Sequence, residues 1–191
     1  TGGSILYKGQ DLRSLSPAGM RALRKDMQLI FQDPYASLNP RQTIGAAILE
    51  PMQVHGLYGS GRSQKEKVLE LLEKVNLTGD HYHRYPHEFS GGQRQRIVIA
   101  RALAVDPSFI ICDESVAALD VSIQAQVLNL LMRLREELGF TCIFISHDLS
   151  VVRFISDRMM VMQKGRIVEQ GAADEVYHHP QNEYTRQLIA A

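Results

Sequence analysis

Apolar residues follow two different spacings along this chain. Three short, largely apolar runs, each bounded by polar residues, lie at 27–31, 109–112 and 142–145. Runs of this length are typical of strands buried on both faces of a parallel sheet that lies beneath helices. Apolar residues at helical spacing predict helices at 43–54 and in a longer segment that Ser122 caps and Gly139 closes. Together the two patterns favour an α/β fold.

Local signals predict further elements. Ser16-Pro17 has the order of a helix cap and a first-turn proline, and Ser63-Gln64-Lys65-Glu66 matches a capping box. Residues 158–162 and 166–169 predict a hairpin, and residues 171–177 predict a last helix. Methionines on this hairpin are expected to fill the core rather than to bind a cofactor. They are Met159, Met160 and Met162.

Two carboxylates, Asp113 and Glu114, directly follow the run at 109–112. In open α/β sheets, ligands gather outside the carboxyl ends of the strands. One carboxylate of such a pair suits Mg²⁺, and the other suits the activation of an attacking water. Many strands also end in a charged turn, so this stretch alone leaves both interpretations open.

Three other motifs surround the acid pair. Upstream, Ser90-Gly91-Gly92-Gln93 opens a predicted helix at 94–104, with Ser90 as its cap. Glycines at a helix start leave backbone N–H groups free to approach a phosphate, which the helix dipole also attracts. Downstream, Ala118-Leu119-Asp120 follows the carboxylates, and Ser146-His147-Asp148 ends the third apolar run.

This ordered set of motifs resembles the ATP-binding subunits of ABC transporters. The Q-loop glutamine of that family corresponds to Gln32, which follows the first apolar run. The other counterparts are the signature motif at Ser90-Gly91-Gly92-Gln93, the Walker B strand at 109–114, the D-loop at Ala118-Leu119-Asp120 and the switch histidine at His147.

The resemblance implies a P-loop NTPase-like (RecA-like) α/β fold, with a mostly parallel sheet and an inserted α-helical subdomain. We expect residues 1–33 and 98–177 to form an incomplete ATPase core and residues 34–97 to form the helical subdomain. Residues 178–191 are expected to be a C-terminal tail. The family's phosphate loop, Walker A, has no counterpart here, so we expect a fragment that lacks the first few dozen residues and has little activity by itself.

The resemblance also implies roles for individual residues, with ATP and Mg²⁺ as the cofactors. Asp113 and Gln32 would hold Mg²⁺, and Gln32 would also reach the attacking water and sense the membrane partner. Glu114 would activate that water, and His147 would contact the γ-phosphate. A second set would bind the ATP held by another subunit. These residues are Ser90, Gly91, Gly92, Gln93 and Asp120.

Two stretches are similar to the ATPases of peptide importers of the oligopeptide, dipeptide and glutathione group. They are residues 33–41 and the tail at 183–188, although Asn182-Glu183 stands where that group usually has His-Pro. The implied partners are a second ATP-binding subunit, two membrane-spanning permease subunits and a substrate-binding protein, which places the subunit at the cytoplasmic face of the membrane. A further departure is Ser115, where the family usually has proline.

The alternative is a soluble ABC-type ATPase that acts on DNA or ribosomes, because such proteins share the ATP motifs. Lys+Arg and Asp+Glu number 21 each, and this net charge of +0 disfavours a nucleic-acid partner. The two cysteines, Cys112 and Cys142, lie on separate apolar runs and are expected to be buried free thiols.

Two further patterns carry less weight. Residues 56–63 fit the phosphate-loop spacing except that Arg62 replaces lysine, and no strand is predicted before them. A coincidence is therefore the favoured interpretation. A histidine cluster is interleaved with aromatic residues and proline, which favours a packed loop over a metal site. Its members are His81, His83 and His87.

Overall fold

A computed structural model describes residues 3–59 and 61–190 of the chain. Its helices in chain order are α1 (Pro17–Leu23), α2 (Ile44–Val54), α3 (Gly61–Lys74), α4 (Gly91–Leu103), α5 (Val121–Leu138), α6 (Leu149–Ile155), α7 (Ala173–His178) and α8 (Glu183–Ala190). Its strands are β1 (Leu6–Tyr7), β2 (Gln10–Asp11), β3 (Met27–Ile30), β4 (Phe109–Asp113), β5 (Thr141–Ile145), β6 (Arg158–Gln163) and β7 (Arg166–Ala172).

The central sheet is parallel and has the order β3-β4-β5. Ile30 of β3 lies beside Cys112 of β4, and Asp113 lies beside Ile145 of β5. The three short apolar runs therefore form three neighbouring strands, which confirms the predicted parallel sheet. Because the strands are parallel, their carboxyl ends meet at one edge.

Only one face of this sheet is fully covered. Ile110 and Cys112 point into the main core with no exposed surface. On the opposite face Leu29 and Ile143 keep 43% and 42% of their surface exposed. The expectation of strands buried on both faces is therefore wrong for the described chain, where the core lies on one side of the sheet.

The larger of two hydrophobic cores in the described chain joins the sheet to the helices α2, α3, α4 and α5. Ile48 of α2, Leu72 of α3 and Ile97 of α4 are completely buried in it. The helix α4 crosses the boundary expected between residues 97 and 98, so the division into a helical subdomain and an ATPase core remains a prediction.

Three helix starts differ from the predicted ones. The helix α4 begins at Gly91 rather than at residue 94, directly after its predicted cap, Ser90. The helix α3 begins at Gly61, so Ser63 lies inside the helix instead of capping it. The helix α5 begins at Val121, and Asp120 rather than Ser122 takes the N-cap position. The predicted cap of α1 is confirmed, since the Gly19 N–H donates to Ser16 Oγ at 3.1 Å.

The C-terminal part contains the predicted hairpin and one helix more than expected. The strands β6 and β7 pair antiparallel, with an irregularity between Val161 and Met162. The C-terminal tail contains a further helix, α8, so the helix expected at 171–177 is not the last one. Met159 is buried, but Met160 and Met162 are exposed, because successive strand residues face opposite sides.

Both cysteines are free thiols. Cys112 is buried and Cys142 is half-buried, and their sulfur atoms lie 3.8 Å apart. The neighbouring Cys142 sulfur, together with burial, raises the pKa of the Cys112 thiol. In residues 3–59 and 61–190, no helix combines the length and the apolar character needed to span a bilayer.

Candidate functional site

The carboxyl end of β4 turns sharply after Asp113. Glu114 has a left-handed backbone with φ of 46°, which costs free energy for a residue that has a side chain. Its N–H donates to the carbonyl of Ile145 at 3.0 Å, and its carbonyl accepts from the N–H of Ala117 at 3.0 Å. These two hydrogen bonds fix the turn, so Asp113 and Glu114 are held at the sheet edge.

His147 reaches this turn from the end of β5. Its Nδ1 lies 3.6 Å from Oε1 of Glu114, slightly longer than a hydrogen bond. The Glu114 side chain is 33% exposed and the His147 side chain is 72% exposed. The strand β5 thus brings together two residues that are far apart in sequence, and both remain accessible to a ligand outside the sheet.

Gln32 leaves the sheet at the same edge. It follows β3 by two residues, and Ile30 at the end of β3 lies level with Cys112. Its side chain is exposed. Gln32 and Asp113 therefore lie at the same edge of the sheet, and among the described residues no hydrogen bond joins them.

The signature motif forms the first turn of α4. The Ser90 Oγ accepts from the N–H of Gln93 at 3.3 Å, and Oε1 of Gln93 accepts from the N–H of Ser90 at 3.1 Å. This reciprocal pair is a capping box. The first N–H groups of a helix have no partner within the helix, and here they belong to Gly91 and Gly92. The arrangement suits an anion.

The two glycines also let α4 approach the D-loop and α5. A Cβ added at Gly92 would lie 2.3 Å from Cγ2 of Ile123, and one at Gly91 would lie 3.6 Å from Cδ2 of Leu119. Leu119 and Ile123 flank Asp120 in the chain. The predicted site residues therefore form two groups. Gln32, Asp113, Glu114 and His147 follow the strand ends, and the signature motif lies beside the D-loop.

Residues 33–41 contact α4, the helix that begins with the signature motif and is called the signature helix below. The motifs in the sequence do not indicate this contact. The guanidinium of Arg94 lies over the Tyr35 ring at 4.9 Å. Farther along α4, Arg101 Nη1 donates to the carbonyl of Ser37. The available signal in the sequence is the spacing of seven between the two arginines, which places them on one side of a helix.

The phosphate-loop pattern at residues 56–63 has the wrong surroundings. The helix α2 precedes residues 56–63, and Gly61 already belongs to α3. Arg62 pairs with Glu66 at 3.2 Å on the exposed side of α3. A phosphate loop follows a buried strand, so these contacts support the interpretation as a coincidence.

The histidine cluster takes part in local packing. The Nδ1 of His81 accepts from the N–H of Thr78 at 3.0 Å, and its ring lies edge-on to Phe89 with centroids 5.2 Å apart. His87 stacks on the ring of Tyr85 with centroids 5.8 Å apart. These contacts order the loop that leads into the signature motif.

The sequence of the chain matches a known family. The sequence profile of the ABC transporter family matches residues 1–117, and the chain belongs to that family. The chain is 56% identical over 190 residues to the glutathione import ATP-binding protein GsiA of Escherichia coli (strain K12) and to that of Shigella flexneri. These matches cover 100% of this chain and 30% of each relative, so the chain spans about a third of the length of the curated relatives it matches.

Solved structures give the same result for the fold. The protein cbiO1 from Clostridium perfringens, part of the ABC transporter complex cbiONQ, has a TM-score of 0.83 at 27% identity, covering 94% of this chain and 69% of that one. The ATP-binding cassette MJ0796, a dimer in a post-hydrolysis state bound to ADP and Pi, has a TM-score of 0.78 at 29% identity, covering 91% and 74%. They confirm the predicted P-loop NTPase-like α/β fold.

Proposed function

We propose that this chain is part of an ATP-hydrolysing subunit of an ABC importer for peptides of the oligopeptide, dipeptide or glutathione class. The observation that carries the proposal is the pairing of Glu114 with His147 at 3.6 Å on the edge of the sheet. Identity to proteins named for glutathione import supports the substrate class.

The chemistry proposed for this pair is general-base catalysis. Glu114 takes a proton from the water that attacks the γ-phosphate of ATP. His147, which follows the neighbouring strand, donates a hydrogen bond to the phosphoryl oxygens and stabilises their charge. Because both side chains are partly exposed, the phosphate can approach them from outside the sheet.

The residues at this edge also suit Mg²⁺, which prefers oxygen ligands. Asp113 offers an exposed carboxylate, and Gln32 offers an amide oxygen from the neighbouring strand end. Within 3–59 and 61–190, no group of three or more His, Cys, Asp or Glu side chains could hold a metal ion. Asp113 and Gln32 would therefore share the ion with nucleotide phosphates, as is usual for Mg²⁺, and the ion would neutralise phosphate charge.

The signature motif is proposed to bind the ATP of a second subunit. Its Ser90 and Gly91 are exposed at the helix start, where backbone donors and the helix dipole attract phosphate. Asp120, at the N-cap position of α5, would approach the same nucleotide. The dimeric state named for MJ0796 supports such an arrangement.

Two permease subunits and a substrate-binding protein complete the proposed importer, with the ATPase at the cytoplasmic face of the membrane. Residues 33–41, which are held on α4 through Arg94 and Arg101, are a suitable contact for a permease. A movement of residues 33–41 would then shift α4, which carries the signature motif, through these two contacts. The net charge of +0 does not favour the soluble alternative that acts on DNA or ribosomes.

The test uses the complete protein, purified with ATP and Mg²⁺. Replacing Glu114 by Gln keeps the size of the side chain and removes the base, so hydrolysis should slow by about 10²–10⁴-fold while ATP still binds. The matched control is Glu136→Gln, the same change at an exposed position of α5. Hydrolysis by Glu114→Gln at the rate of the control would show that Glu114 is not the base.

A second measurement tests the transport role separately. Membrane proteins that co-purify with the complete subunit are identified, and ATP hydrolysis by the reconstituted complex is measured with and without glutathione and short peptides. Stimulation by one of these, through its binding protein, supports import. Co-purification with ribosomes or DNA, and with no permease, would favour the alternative.

A further inference from the structure

A hydrogen bond between side chains joins the signature helix α4 to α5. The Nη2 of Arg96 donates to Oε1 of Gln126 at 2.9 Å. Arg96 follows the start of α4, and Gln126 the start of α5, by the same number of residues. At 1.5 Å per residue, both lie about 7.5 Å from the beginning of their helices. The bond therefore joins the two helices at equal depth below the signature motif and the D-loop.

The two helices also run in the same direction. The helix α4 contacts β3 and leads into β4 through residues 104–108, and α5 connects β4 to the parallel strand β5. Both helices therefore run back against the direction of the strands. Their N-termini lie on the side of the carboxyl ends of the strands. The unpaired N–H groups and the positive dipole ends of both helices thus face the same side.

A second contact lies between this bond and the helix starts. A Cβ at Gly92 would lie 2.3 Å from Cγ2 of Ile123, so the backbone of α4 rests directly on that side chain. Gly92 and Arg96 are four residues apart on α4, and Ile123 and Gln126 are three apart on α5. These spacings place each pair on one face of its helix. The tight packing and the hydrogen bond therefore form one row of contacts between α4 and α5.

The hydrogen bond is stronger than an ordinary one between neutral side chains. Its donor is a guanidinium, which remains charged, and bonds from charged donors are roughly twice as strong as neutral ones. Arg96 is half-buried and Gln126 is exposed. The bond thus resists sliding of α4 along α5, which the apolar contact at Gly92 alone opposes only weakly.

We propose that Arg96 is a positioning residue for the ATP site between two subunits. Through Gln126 it fixes the signature motif of α4 relative to Asp120 at the N-cap of α5. The inference rests on the proposed function, in which both motifs bind the ATP of a second subunit. Without the bond each motif is intact, but α4 and α5 can shift, so dimer formation itself must align them. The ATP that one subunit binds alone does not contact its own signature motif, so that affinity is independent of Arg96.

The experiment uses the complete protein with Mg²⁺ and a non-hydrolysable ATP analogue, so that it does not depend on Glu114. Sedimentation equilibrium gives the dissociation constant of the analogue-bound dimer. Arg96→Met keeps the apolar stem and removes the donor. With two sites in each dimer, we expect this constant to rise by about 10–100-fold, equivalent to one ordinary hydrogen bond at each site. Analogue binding to the dilute monomer should be unchanged. The matched control is Arg21→Met, at an exposed position of α1, which should have no effect.

A double-mutant cycle tests whether Arg96 acts through Gln126. Gln126→Met should weaken the dimer as much as Arg96→Met, and the double variant should be no weaker than either single one. Arg96→Lys combined with Gln126→Glu restores a charged contact and should recover dimer formation. Because Gln126 is exposed, Gln126→Met tests the bond even if Arg96→Met does not fold.

Different results would overturn this inference and the proposed function. An unchanged dimer constant for Gln126→Met, or additive effects of the two single changes, would refute the role of Arg96 and leave the proposed function standing. If the unmodified protein formed no analogue-dependent dimer, the proposed shared ATP site would be wrong, and the role of Arg96 with it.

Discussion

The contact between the signature helix and α5 gives a quantitative prediction. A Cβ at Gly92 would lie 2.3 Å from Cγ2 of Ile123, far inside the roughly 3.5–4.0 Å of ordinary carbon contacts. Ile123 is β-branched and stiff in a helix, so the clash cannot be relieved by a small rotation. We expect Gly92→Ala to carry an overpacking cost of about 1–3 kcal/mol.

Gly91→Ala is the matched control, since its Cβ would lie 3.6 Å from Leu119, an ordinary contact. Each variant gains up to about 1 kcal/mol of helix propensity from the loss of a glycine. The difference between the two variants in free energy of unfolding therefore isolates the clash, and Gly92→Ala should be the less stable by about 1–3 kcal/mol.

Urea unfolding of both variants, followed by circular dichroism, measures this difference. Ile123→Ala removes the opposing methyl group and should suppress the cost of Gly92→Ala in a double-mutant cycle. Equal stability of the two alanine variants, or a coupling energy below about 0.5 kcal/mol, would contradict the packing described here.

Three further predictions concern the ends of helices and the binding of nucleotide. Asp148→Ala should cost about 1 kcal/mol as a lost N-cap. The hydroxyl of Ser150 in particular lowers the pKa of Asp148 below its ordinary value in the folded state, so the charge-dependent part of the stability difference should be present above pH 3.8 and be lost as pH falls through the lowered pKa. In the complete protein, Gly91→Asp should abolish the ATP-dependent dimer on size-exclusion chromatography, because a carboxylate beside phosphate is repelled; a normal dimer peak would refute this. The 191-residue chain should bind Mg-ATP very weakly in calorimetric titration, and micromolar binding that Arg62→Ala removes would instead make residues 56–63 a working phosphate loop.

The sheet is well predicted by the sequence because its signal is local. Each strand lies in a short, largely apolar run, and the polar residue that ends each run marks the edge where ligands gather. The sequence alone therefore assigns Gln32, Asp113 and His147 to one edge. The distance between Glu114 and His147 depends on the pairing of β4 with β5, which no local pattern contains.

The wrong predictions of burial have a common cause, because the sequence does not show which neighbouring elements cover each face of a strand. A run of apolar residues looks the same whether one or both faces of a strand are covered, so the exposure of Leu29 and Ile143 is not predictable from the run itself. Met160 and Met162 depart from the expected core positions for the same reason. The start of α8, in contrast, is marked in the sequence by Asn182. Its Oδ1 accepts from the N–H of Tyr184 at 2.8 Å, a typical helix-start contact.

The left-handed backbone of Glu114 sets stability against activity at a single position. A residue with a side chain loses about 1–2 kcal/mol there, and glycine would recover most of it. Under selection for stability alone, this site would drift towards glycine and would lose the proposed base. An engineered thermostable form of the protein should therefore be improved elsewhere, because the strain at this turn is retained together with the carboxylate that it positions.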